Sequence, residues 1–135
     1  MIDHASLGVT DLRRSRTFYD AVLRPLGLVR IVDFGDDRGS DYGAAPASFG
    51  VEFTITKEAD QVFPAKGSHL CFRSPSRQAV DVFHAAALGA GGRNDGAPGL
   101  RPQYHADYYG AFVLDPDGHR IEAVCHAPAA AMILP

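Results

Sequence analysis

The chain has 135 residues, 46% of them hydrophobic and 21% charged, with a formal net charge of −3. That is one compact domain, or two half-domains sharing a core, and no Lys/Arg stripe offers a footprint for nucleic acid. No run is long and apolar enough for a membrane span and no charged-then-apolar leader opens the chain; with only Cys71 and Cys125, both in strand-like runs and read as reduced, a cytoplasmic protein is expected.

Residues 2–9 alternate, with Ala5, Leu7 and Val9 on one strand face and His4, Ser6 and Gly8 on the other. Thr10 or Asp11 then caps a helix predicted to run to about Arg24, with Leu12, Phe18, Tyr19, Val22 and Leu23 as its apolar stripe. Pro25 and Gly27 stop it. Strands are expected over 28–34, 41–45 and 48–56, the last with Val51, Phe53 and Ile55 on one face and Glu52 and Thr54 on the other. Residues 57–66 are polar and read as a linker. A strand over 67–73 follows, with Leu70 and Phe72 facing away from His69 and Cys71. Ser74 and Pro75 read as a helix start, and Gly89, Gly91 and Gly92 as its stop near Leu88. Residues 94–102, rich in Gly and Pro, are loop or broken strand. An aromatic stretch leads to the hairpin over 107–126, whose turn is Asp115-Pro116-Asp117-Gly118. The tail 127–135 is small and apolar and is expected to bury against a partner surface.

The pattern is an internal repeat. At an offset of 65, His4 meets His69, Phe18 meets Phe83, Ala21 meets Ala86, Leu23 meets Leu88 and Gly27 meets Gly92. Glu52 and Glu122 close the two units, 70 apart. The expected fold is α+β: two βαβββ modules (1–56 and 67–126, joined by 57–66 and followed by the tail) forming a curved mixed sheet with a concave metal-binding cleft. An acid on an apolar strand such as Ile121-Glu122-Ala123-Val124 must be paired, protonated or bound to a metal, unless it lies at a wet rim. His4, Glu52, His69 and Glu122 all take the face opposite the strong hydrophobes. Together they would supply four N/O ligands to one divalent ion: Zn, Ni, Co, Mn or Fe.

These residues also carry a family resemblance. Ile2-Asp3-His4, Val9-Thr10-Asp11, Phe18-Tyr19, Leu26-Gly27-Leu28, Val51-Glu52-Phe53, Gly67-Ser68-His69-Leu70 and Asp115-Pro116-Asp117-Gly118 with Ile121-Glu122 resemble the vicinal oxygen chelate superfamily, the glyoxalase, bleomycin-resistance and extradiol dioxygenase group. The resemblance implies paired βαβββ modules, usually assembled as a homodimer, and the metal set His4, Glu52, His69 and Glu122. The glyoxalase members carry an Arg and an Asn for glutathione where this chain has Gly8 and Thr56. The implied activity is a glyoxalase-like lyase or isomerase. It would act through a metal-stabilised enediolate on a small substrate with vicinal oxygens, not the glutathione hemithioacetal. Glu52 or Glu122 would be the base, with Phe53, Phe72, Arg101, Tyr104, His105 and Tyr108 around the substrate. An extradiol ring-cleaving dioxygenase, or a drug-binding protein of the bleomycin-resistance kind, are the alternatives.

Overall fold

The computed structural model describes residues 1–44, 50–58 and 60–129. It contains two four-stranded mixed sheets, each made by one βαβββ unit. The first unit is β1 (Ala5–Val9), α1 (Leu12–Leu23), β2 (Val29–Phe34), β3 (Gly39–Gly43) and β4 (Phe53–Lys57). The second is β5 (His69–Arg73), α2 (Arg77–Gly89), β6 (Arg93–Leu100), β7 (Tyr109–Leu114) and β8 (Arg120–Cys125). Strand order is β1-β4-β3-β2 in one sheet and β5-β8-β7-β6 in the other, and the first and last strand of each unit run parallel. The α+β class and the two-module repeat are as expected.

Both helices start on side-chain caps. Asp11 accepts from the Arg14 amide, and Ser76 accepts from the Ala79 amide. The second helix therefore begins two residues later than the Ser-Pro pair suggests, because Ser74 spends its amide on the Val124 carbonyl and its hydroxyl on the Ser76 carbonyl. A 3-10 turn over Arg24–Leu26 ends the first helix at Gly27, whose φ of 87° suits glycine. The apolar stripes of α1 and α2 meet in one core, where Phe18, Tyr19, Val22, Val80, Phe83 and Ala87 are fully buried. Burying the Phe and Val side chains among these contributes about 1.5–3 kcal/mol each.

The broken strand of 94–102 is β6, whose pairing with β7 slips on both sides of Gly96. The strand expected over 41–45 begins earlier, at Gly39, and the one expected from residue 48 is β4, paired from Phe53. Positions 45–49, and the tail from 130 onward, lie outside the described residues.

The DPDG turn ties the two halves together. Buried Asp115 accepts from the Tyr19 hydroxyl (2.6 Å) and from the amides of Asp117 and His119. Asp117 accepts from the Thr10 hydroxyl (2.6 Å) and from Arg14, and His119 Nε2 donates to the Gly8 carbonyl (2.7 Å). Burial pushes the Tyr19 hydroxyl well up and, less strongly, the Asp115 carboxyl.

Candidate functional site

A cleft of about 740 Å³ opens between the two units, with His4, Glu52, His69, Cys71 and Phe72 in its wall. His4 and Glu52 reach it from neighbouring positions. The Ala5 amide donates to the Glu52 carbonyl, and Ala5 pairs with Phe53, so the next pair outward is His4 and Glu52. Both are exposed. His4 Nδ1 donates to Asp3 (2.7 Å), so Nε2 is the ring nitrogen outside that contact.

Glu122 is different. It is 2% exposed, and it is held on both oxygens: His69 Nε2 lies 3.2 Å from Oε1, and the Tyr108 hydroxyl donates to Oε2. Local chemistry explains how β8 tolerates the acid. Gly110 on β7 leaves room, since a Cβ there would lie 3.2 Å from Oε2. The carboxylate in turn disfavours other anions around it. Burial, then the Glu122 hydrogen bond and charge, push the Tyr108 hydroxyl up. Burial and the Glu122 charge push the Cys71 thiol to about 12. Cys71 is an exposed residue overall, but its sulfur faces the carboxylate, because Cys71 and Glu122 are register partners in the parallel β5–β8 pair. Both groups are therefore kept as neutral donors.

The repeat is less symmetric than the spacing implies. In the first unit His4 and Glu52 are level. In the second, His69 is level with Arg120, and Glu122 lies two residues further along, beside Cys71. The register counterpart of Glu122 is then Thr54, partner of Ser6, whose hydroxyl donates to Asp41 (2.7 Å). Of the four expected ligands, only His69 and Glu122 touch. Among the described residues, no group of three or more His, Cys, Asp or Glu is arranged to hold a metal ion. The chain thus fits a divalent ion in part: one imidazole and one carboxylate converge, while His4 and Glu52 line the same cleft without closing on them.

The expected substrate contacts divide. Phe72 lines the cleft. Phe53 does not: it is fully buried between Tyr19 (4.8 Å) and Phe72 (5.5 Å), because odd positions of β4 face the helices. Tyr104 is exposed and packs on Tyr108 at 4.8 Å, and His105 Nε2 meets His126 Nδ1 at 2.8 Å beside it. Arg101 lies over Phe112 at 5.8 Å. Cys71, Phe112 and Arg120 were not singled out from sequence. Their shared parity with His69 and Glu122 on β5, β7 and β8 was the available signal.

A family profile described as glyoxalase/bleomycin resistance protein/dioxygenase superfamily matches residues 1–123. The chain belongs to this superfamily. Among solved structures, it is 32% identical to a glyoxalase/bleomycin resistance protein from Albidiferax ferrireducens T118, with a TM-score of 0.77 over 92% of this chain and 98% of that one. The fosfomycin resistance protein FosX from Listeria monocytogenes shares the fold at 18% identity and a TM-score of 0.68, covering 94% of this chain and 93% of its own. A FosX mutant complexed with Mn(II) and 1S,2S-dihydroxypropylphosphonic acid matches at 18% identity and a TM-score of 0.66, over 92% and 88%. No curated protein matches the chain. No helix among the described residues is long and apolar enough to cross a membrane.

Proposed function

We propose that the chain is a metal-dependent lyase or isomerase for a small substrate with vicinal oxygens, working in the cytoplasm as a homodimer. Glu122 carries this reading. A carboxylate 2% exposed on an otherwise apolar strand is costly unless it is used, and here it meets an imidazole on the face it shares with Cys71. His69 and Glu122 would hold the ion, with His4 and Glu52 completing the set. A second copy, pairing module on module, would bring the two half-sets together. When bound, a divalent ion supplies the positive centre that favours charge developing on two adjacent substrate oxygens.

The chain's own residues then divide the remaining work. Glu122, held by the Tyr108 hydroxyl on Oε2, keeps Oε1 beside His69 Nε2 and anchors the site. Glu52, exposed at the rim, is the carboxylate able to reach a carbon beside a carbonyl and take its proton. Tyr108 keeps its proton and holds Glu122 in orientation. Phe72 excludes water from one wall. Glutathione is disfavoured on charge. Gly8 and Thr56 are register partners, a Cβ at Gly8 would lie 2.7 Å from Glu58, and Thr56 donates to the Glu58 carboxylate. An acid thus stands where an anionic tripeptide would need a cation.

One observation favours a second reading. Tyr108 on Glu122, with His105 and His126 packed beside it, offers hydrogen-bonding groups next to a ligand carboxylate, as oxygen-dependent ring cleavage would use. The test is elemental analysis of protein purified without chelator, alongside His69→Ala and Glu122→Ala. Turnover is then measured on the methylglyoxal–glutathione hemithioacetal, on small α-hydroxy ketones, and on catechols with Fe(II). Full metal retention in both variants refutes the metal assignment. Catechol cleavage alone moves the chain to the dioxygenase reading.

A further inference from the structure

Over the ring of Phe112, the register partner of Glu122, stands the guanidinium of Arg101. Arg101 forms no ion pair among the described residues. Its guanidinium is oriented by backbone instead: Nη1 donates to the Gly99 carbonyl and Nη2 to the Ala97 carbonyl, both at 2.8 Å. Glycines make room for it. A Cβ at Gly99 would lie 3.3 Å from Nη1, and one at Gly96 would lie 3.4 Å from Nη2. The slipped pairing of β6 around Gly96 is what turns this stretch toward the arginine. Of the five N–H donors of an arginine, two are used in this way and three remain.

The Phe112 ring links the guanidinium to the His69–Glu122 pair. The guanidinium lies over the ring of Phe112, the register partner of Glu122, and that ring is 6.0 Å from the His69 ring. Arg120 covers the same ring at 4.1 Å, but Asp95 already balances it at 2.7 Å. The Arg101 amide donates to the Tyr108 carbonyl (2.7 Å), and Tyr108 in turn reaches Glu122. The loop between them therefore sets the cation and the buried acid at a fixed separation.

Building on the metal-centred reading above, we infer that Arg101 is a substrate-binding residue that selects a small monocarboxylic acid carrying two adjacent oxygens. The charge balance sets the class. Arg120 and Asp95 cancel, and in the metal-centred reading Glu52 and Glu122 cancel a divalent ion, so Arg101 is left as the one uncompensated positive charge. A planar carboxylate matches both that charge and the planar fork of an arginine. A dianionic phosphate would bring one negative charge too many, next to Glu122.

Calorimetric titration tests this with glycerate, glycerol and glycerol 1-phosphate. The full chain is used, manganese-loaded and after chelator treatment, as wild type, Arg101→Gln and Arg101→Lys. Glycerate is expected to bind the loaded wild type at least about tenfold tighter than glycerol. Arg101→Gln should abolish that preference and leave glycerol unchanged, and Arg101→Lys should retain part of it. An undiminished preference in an Arg101→Gln protein that melts like wild type overturns the inference. So does glycerol 1-phosphate binding tighter than glycerate, or no glycerate binding at millimolar concentration. An Arg101-dependent preference that persists in protein unable to hold manganese supports the inference and refutes the metal-centred reading instead.

Discussion

Replacing Tyr108 with Phe removes a single hydroxyl, and the site makes the consequence specific. That hydroxyl is the donor on Oε2 of a carboxylate that is 2% exposed, so water cannot easily replace it. A hydrogen bond to a charged group contributes about 1.5–3 kcal/mol. Tyr108 itself is only half-buried and His69 stays on the other oxygen, so the lower end, about 1.5 kcal/mol, is expected. Urea unfolding at neutral pH measures it, with the slope unchanged. The double variant Tyr108→Phe/Glu122→Gln should be less destabilised than the sum of the singles, by about 1 kcal/mol. The sign with pH follows. Tyr108 is raised above 10.0 in the folded chain, so its contribution is whole below pH 10 and fades as pH rises through the folded value. Additive single variants, within about 0.3–0.5 kcal/mol, would show that the hydroxyl and the carboxylate do not act together.

Asp115→Ala should destabilise by about 1–3 kcal/mol for each buried partner left unpaired, Tyr19 foremost, whereas Asp115→Asn keeps most partners. Because the folded Asp115 carboxyl is raised above 3.8, wild type should lose stability relative to Asp115→Asn as pH climbs from there through the folded value. Gly110→Ala, which places a methyl 3.2 Å from the Glu122 oxygen, should weaken metal binding more than a Gly89→Ala control, which meets nothing. Mixing His4→Ala with Glu122→Ala protein should restore part of the metal binding and activity if each site is shared between two copies. No rescue, or a monomer by light scattering at micromolar concentration, refutes the shared site.

Much of this was legible in the chain because period-two alternation settles which face a residue takes. Alternation placed Glu122 with His69 and Cys71, and the glycine stops placed both helices. The same rule puts Phe53 in the core, since it shares parity with Ile55. What alternation does not specify is register. Moving a parallel pair by two residues keeps every side chain on its face, so Glu52 and Glu122 look equivalent in spacing while sitting at different levels. Nor does the glycine-rich run at 94–102 decide between loop and broken strand. Its side chains pack little, and its pairing depends on β7 and on the backbone's grip on Arg101.

The bonds from the last hairpin to the first strand–helix corner have a consequence for synthesis. Tyr19 is made early, yet the acceptor for its buried hydroxyl is Asp115, and the donor to the Gly8 carbonyl is His119. A chain emerging from the ribosome can form its first helix and sheet, but must wait for the final turn before that corner is closed. Until then the first half is a partner for any exposed strand edge. Translation arrested before the DPDG turn should therefore leave a nascent chain that chaperones hold and proteases cut. Once the turn and β8 have both emerged, the same chain should become resistant in a single step.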